Sequence, residues 1–313
     1  MLAAPVLAVA AVLVLAGPDR PTAAPTPPTV PEAAHPPVRW GDYGHEMVGR
    51  AAAETLPGDV PAFFRDRSAQ LVYLNPEPDR WRSRPLREMD QAWTYDHYID
   101  LENVPPGALD APDRWQYLRA LYESGLERPE GDGGFLPFHI VELYQRLVTE
   151  WRMWRAEVDA ERRSWIEDRI VNDAGTLGHY VADAANPHHT TIHYNGWAEA
   201  APNPEGYTTA RDFHARFESE FVRAHVRYQD VRERISGAPR SVAGNARAAV
   251  MQHVLASNAL VETLYRLEKD VGFDPVGPLR AETRDFAADR LAAAADMLRS
   301  LWWSAWSESA TAP

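Results

Sequence analysis

The chain contains no cysteine. Disulfides, thiolate metal sites and cysteine nucleophiles are therefore excluded, and any metal has to be held by nitrogen and oxygen. A cationic surplus is missing too: 32 Lys and Arg against 45 Asp and Glu leave a formal net charge of -13. That argues against a broad basic face for duplex nucleic acid or anionic lipid. It does not exclude a phosphate ligand carried on metal ions, which bring their own positive charge. Long apolar runs are scarce. The one candidate, LAAPVLAVAAVLVLA at residues 2–16, is interrupted by Pro5 and falls short of the about 20 residues a membrane-spanning helix needs. Residues 1–17 read instead as an export signal without the usual basic start, which predicts a secreted or periplasmic protein, or one retained by that uncleaved segment. Alternating strand patterns are almost absent.

What is present is a Pro-, Ala- and Thr-rich linker over residues 18–38, then a folded domain over 39–313 that reads as helical. ERRSWIEDRIVNDAGTLGHYVADAA has no proline and mostly good helix formers. Apolar residues at three- and four-residue intervals, among them Val250, Val254, Leu260, Leu264 and Leu267, predict a helix over 241–272. The segment from Pro278 to Trp303 opens with proline, as a helix should, and ends in a Trp pair. Shorter helices are predicted over 45–56, 113–126, 137–158 and 209–227, with polar loops at 74–94, 127–136 and 186–208. No internal repeat or boundary divides the domain. The expected fold class is all-α, in one multi-helix domain.

The chemistry concentrates in LGHYVADAANPHH. His179 and Asp183 are four apart, so on a helix their side chains share a face. Asn186-Pro187 should end that helix and turn the chain, letting His188 or His189 approach the same place. His214 and Glu218 in FHARFESEF form a second pair at the same spacing. Further histidines stand in WGDYGH (His45) and YDHYID (His97). One His-x3-Asp pair is common on helices without any metal; two such pairs and a histidine beyond a helix break are rarer. His225 and His253 read as ordinary surface or boundary residues; His35 lies in the linker and His139 beside an apolar helix start, and neither joins a pattern.

These residues resemble the superfamily of zinc-dependent phospholipase C and the single-strand nucleases of the P-one and S-one type. Its signature runs Trp then His, an Asp, a His in an H-[FY]-[IY]-D context, His-x3-Asp-x5-His and His-x3-[DE]. Trp40 and His45, Asp79 in PEPDRW, His97 in HYID, His179-x3-Asp183-x5-His189, and His214-x3-Glu218 follow that order. The spacing from Asp79 to His97 is longer than usual. The likeness covers residue 40 to about 222.

The resemblance implies a helical domain with long loops around a cleft holding three Zn2+. Asp79, His97, His179 and Asp183 would hold one ion. Asp183 would bridge to a close second, bound also by His45 and by the amine and carbonyl of Trp40. His189, His214 and Glu218 would hold the third. Asp183 and Asp79 would take catalytic roles, the one bridging the close pair and the other orienting the attacking water, while Tyr98 and Asp100 would stack and read a base. The implied substrate is a phosphodiester, single-stranded nucleic acid or nucleotide, with no stable protein partner and a monomeric chain. The short Trp-to-His spacing and HYID favour the nuclease branch. Glu218 in place of Asp, and HTTIHYNGW where the nucleases carry Gly-Gly-Asn, favour phospholipase C as the alternative. A phosphomonoesterase uses the same chemistry. A helical protein with purely structural zinc is the reading from another class. About nine candidate ligands for three metals count against it, because a structural site closes all four positions with protein. Arg39 before Trp40 leaves three readings: export followed by trimming by a trypsin-like protease, which is favoured; replacement of the amine by a side chain or water with the Trp40 carbonyl still bound; or a weakly held zinc at this position.

Overall fold

The longest uninterrupted burial in the chain belongs to one helix, Ala160–Ala185. Asp159 caps its start, accepting from the Arg162 amide at 2.9 Å. Asn186 adopts φ -86, ψ 120 and ends it, as a residue before proline is pushed to do. Every residue from Asp173 to Thr191 is buried. Small residues make this possible: a Cβ on Gly175 would stand 2.4 Å from Leu74 Cβ. The helix packs against Leu136–Ala156, Ala281–Glu308 and Ser68–Leu74, and Gly41–Glu54 packs against the last two of these. An aromatic knot of Phe63, Phe64, Trp151, Trp154, Trp302 and Trp306 closes one end of the core.

This computed structural model describes residues 41–311, all within one compact unit. The signal-like segment 1–17, the linker 18–38 with His35, and Trp40 lie outside the described residues. The described residues are helical, with no strand among them, as an all-α reading requires. No described helix is long and apolar enough to cross a membrane.

Three local expectations are corrected. The helix expected over 241–272 is two, Ala246–Asn258 and Val261–Asp270. The Leu260 amide turns back to the Ser257 carbonyl at 3.0 Å, where Ser257 and Asn258 are poor helix formers. The expected loop at 74–94 contains the single turn Glu77–Arg80 and the eight-residue helix Arg87–Thr94. The 209–227 helix has a π-helical middle, Arg216–Phe221, between Phe213–Ala215 and Val222–His225. Such widened turns appear mostly where a side chain has to be re-aimed for function.

Candidate metal centre

His179 and Asp183 lie in the buried part of the central helix, with Nε2 to Oδ2 at 3.3 Å. His179 Nδ1 donates to the Asn75 carbonyl at 3.0 Å, since that oxygen can only accept. Its Nε2 is left with a free lone pair, the arrangement metal-binding histidines use. That lone pair faces His97 Nδ1 at 3.0 Å and Asp79 Oδ1 at 3.9 Å. His97 Nδ1 in turn stands 3.0 Å from Asp183 Oδ2 and 3.9 Å from Asp79 Oδ1. His45, from the Gly41–Glu54 helix, stacks on His179 with ring centroids 4.0 Å apart, and its Nε2 is 3.7 Å from Asp183 Oδ1. Asp183 thus shows one oxygen to His45 and the other to His97 and His179.

The second pole is built on the turn after the helix. His189 Nδ1 donates to the His97 carbonyl at 2.6 Å, and the Ile99 amide donates to the His189 carbonyl at 2.9 Å. These two bonds clamp the HYID segment to the turn. They leave His189 Nε2 facing His214 Nε2 at 3.2 Å and Glu218 Oε2 at 3.5 Å. His214 Nε2 and Glu218 Oε2 are 2.9 Å apart. The two poles adjoin: His189 Nδ1 is 3.7 Å from Asp183 Oδ2.

Among the described residues, three groups of side chains could each hold a metal ion: His45, Asp79 and His179; His97, His179 and Asp183; His189, His214 and Glu218. Around a tetrahedral zinc with bonds of about 2.0–2.1 Å, ligand atoms stand roughly 3.3–3.4 Å apart. The separations above, 2.9 to 3.9 Å, bracket that value. The His45 ring is buried with neither nitrogen hydrogen-bonded, a costly state for a polar group that a cation beside Asp183 would relieve. Burial, then the His179 ring, pulls its pKa down to about 3, so it is a neutral imidazole with a lone pair to give. Burial pushes the Asp183 carboxyl up, but the His189 and His179 rings outweigh it and hold the group well below the usual carboxylate range. His214, and then bonds from His189 and His214, likewise outweigh burial and keep Glu218 ionised.

His188 joins none of these groups, although its ring lies 4.8 Å from that of His214. It is buried against Phe213, Phe217 and Tyr265, at centroid distances of 4.9, 5.6 and 6.0 Å. His189 alone of the two joins His214 and Glu218. Tyr98 is half-buried, its hydroxyl donating to the Gly131 carbonyl at 2.7 Å. Asp100 is buried, with its pKa pushed up to about 7 by burial and by the neighbouring Glu102 and Asp132.

Some participants carried no signal in the sequence. Asn186 stood out only as a helix breaker, yet its side chain donates to Glu218 Oε2 at 3.0 Å and accepts from the His188 amide at 3.1 Å. His139 appeared solitary. It lies 3.0 Å from the Arg114 guanidinium and 3.4 Å from Asp96, the residue before His97, so it helps brace that segment. Arg114 and Asp96 are themselves paired at 3.0 Å. No family model, no curated protein and no solved structure matches the chain.

Proposed function

We propose that the protein is a zinc-dependent hydrolase of phosphate esters, with the helical fold of the phospholipase C and P-one nuclease type and a preference for phosphodiesters of single-stranded nucleic acid or nucleotides. One observation carries the reading: eight imidazole and carboxylate side chains from five separate segments converge with their lone pairs facing inward. His45, Asp79, His97, His179 and Asp183 would hold two ions, with Asp183 shared, and His189, His214 and Glu218 a third. Zinc bound there supplies positive charge for a phosphate and lowers the pKa of a water to near neutrality.

The protein's own contribution is arrangement. The side chains of His45, His97, His179, Asp183 and Glu218 are at most 2 % exposed, while Asp79 is 20 % and His214 14 % exposed. The cluster therefore opens on the side of Asp79 and His214, and substrate has to approach there. Asp79 is the carboxylate with access to solvent, placed to orient a water and accept its proton. By the same resemblance, half-buried Tyr98, whose hydroxyl is held by Gly131, would stack on a base, and Asp100 would hydrogen-bond it. Eight side chains for three ions, with Asp183 shared, supply on average about three protein ligands per ion and leave coordination positions for water and substrate, which favours catalysis over structural zinc.

The test is metal analysis of the purified protein, then assays on a single-stranded oligonucleotide, a small phosphodiester and phosphatidylcholine. About three zinc per chain and chelator-sensitive cleavage of the first two support the reading. Cleavage of phosphatidylcholine alone would replace it with phospholipase C, and no hydrolysis by a zinc-loaded protein would leave structural zinc.

A further inference from the structure

In a chain of net charge -13, residues 80–87 read RWRSRPLR: four arginines and no acid in eight positions. Arg80 is committed, 2.6 Å from Glu77 and over the Tyr73 ring. Arg82, Arg84 and Arg87 form no ion pair with any described residue. The helix that follows, Arg87–Thr94, buries none of its residues. Apolar groups stand out beside the charges. Leu86 is 57 % exposed and Trp93 36 % exposed, with the Trp93 ring 5.4 Å from that of Trp81. The segment is anchored to the metal cluster at both ends, leaving from Asp79 and returning to His97. Trp81 is two residues from Asp79, hence within about 8 Å along the chain.

In an acidic chain, three guanidinium groups without an ion pair beside a partly exposed indole, itself held by Trp81 and His139, make a local site for a ligand that is anionic and flat. We propose that residues 80–94 form a docking surface for a single-stranded nucleic acid, with Arg82, Arg84 and Arg87 on its phosphates and Trp93 against a base. The proposal rests on the phosphodiesterase reading and deepens it. A phosphodiester held at the cluster belongs to a strand that continues past it, and this protrusion is the ground beside the solvent-facing Asp79. Guanidinium forks suit phosphate oxygens and also stack on bases, whereas a lipid surface is served equally by lysine. A bilayer also calls for several exposed apolar side chains, and of the aliphatic residues in 80–94, Leu86, Met89 and Ala92, Leu86 is the large exposed one. Indole–base stacking is tolerant of sequence, as a general single-strand site requires.

The test compares the zinc-loaded wild type, an Arg82→Gln/Arg84→Gln/Arg87→Gln variant and Trp93→Ala. Four measurements are made: KM and, by fluorescence anisotropy, Kd for a short oligothymidylate over a salt series, kcat/KM for bis(p-nitrophenyl) phosphate, and binding to phosphatidylserine vesicles. Each single-strand phosphate contact contributes about 0.7 to the slope of log affinity against log salt. The triple variant is expected to raise the oligothymidylate KM at least about tenfold at low salt and to flatten the slope by roughly 2. Trp93→Ala should raise that KM about tenfold. Hydrolysis of the small diester should change far less in both. An oligothymidylate KM and salt slope unaffected by the substitutions, while wild type cleaves the small diester, overturns the docking surface and leaves the phosphodiesterase reading standing. Loss of vesicle binding alone overturns it in favour of lipid. A wild type that cleaves neither diester, yet binds oligothymidylate through these arginines, keeps the surface and overturns the phosphodiesterase reading.

Discussion

His179 Nε2 stands 3.3 Å from Asp183 Oδ2 across one turn of a helix buried on every side. Because the other Asp183 oxygen faces His45, one carboxylate serves two neighbouring positions. Asp183→Asn keeps the shape and removes the charge that offsets two cations. It should cost both ions that share it, leaving about one of three zinc. Phosphodiesterase activity should fall by more than about 100-fold, since losing even an outer partner of a metal ligand typically costs 10–100-fold. His179→Ala should do the same. Zinc content by elemental analysis, with rates on a small diester, checks this; full occupancy and rate in either variant would sink the assignment.

His188 and His189 are adjacent in sequence and should behave oppositely. His189→Ala should release the zinc held with His214 and Glu218 and abolish activity. His188→Ala should retain zinc but lose stability, because a fully buried ring leaves a cavity among Phe213, Phe217 and Tyr265. Comparable truncations cost about 2–4 kcal/mol. Zinc content and urea unfolding of the two variants separate the effects. The reverse pattern would show that the turn after Asn186 presents the other ring to the metal.

Gly178 tests whether the support behind His179 matters. A Cβ there would stand 2.1 Å from Asn75 Nδ2 and 3.0 Å from Leu298 Cδ2. The Asn75 side chain has to move, and the backbone carbonyl of that same fully buried residue is the acceptor that fixes the His179 tautomer. Gly178→Ala should therefore weaken zinc binding about 10–100-fold, although alanine is the better helix former. Competition with a chromogenic chelator measures it. A variant that binds zinc like the wild type and unfolds later would show that Asn75 is dispensable.

Much of this site was legible because helices convert spacing into proximity. His179-x3-Asp183 and His214-x3-Glu218 needed only a helical period to be placed correctly on their own elements. The Asn186-Pro187 break announced a turn, though which histidine it would aim inward depends on the clamp between His189 and His97, a pairing of residues far apart in sequence. The contacts of Asn75, Asn186 and His139 were illegible for the same reason: each acts through a tertiary partner, and none sits in a local pattern. The widened turn at Arg216–Phe221 left no mark in the periodicity either, since its neighbours are good helix formers. Residues 74–94 read as a loop because proline and arginine dominate the segment, while its helix Arg87–Thr94 lies on the surface and buries no apolar stripe.

The last prediction concerns stability against pH, away from the metals. Glu150 is buried between two helices, its Oε1 3.9 Å from Arg146, whose Nε is 2.5 Å from Asp173 Oδ2. Burial first, and then the nearby Asp173 carboxyl, push its pKa from 4.5 up to about 8, against the pull of Arg146 and Arg169. The folded chain therefore holds this proton more tightly than the unfolded chain. The stabilisation is complete below about 4.5 and is lost as pH rises through about 8. The loss should be on the order of 2–5 kcal/mol, the upper end being what a shift of this size allows when each unit is worth about 1.4 kcal/mol. Zinc release at low pH slopes the other way, because protons compete for the imidazole ligands. The comparison is accordingly made on zinc-loaded protein, between wild type and Glu150→Gln, by urea unfolding from about pH 5 to about pH 8.5. The substituted amide is neutral throughout, so the zinc-linked slope is common to both proteins and cancels in their difference. Wild type should lose stability relative to the variant as pH rises. Parallel curves would mean that Arg146 and Arg169 keep Glu150 ionised in the folded protein.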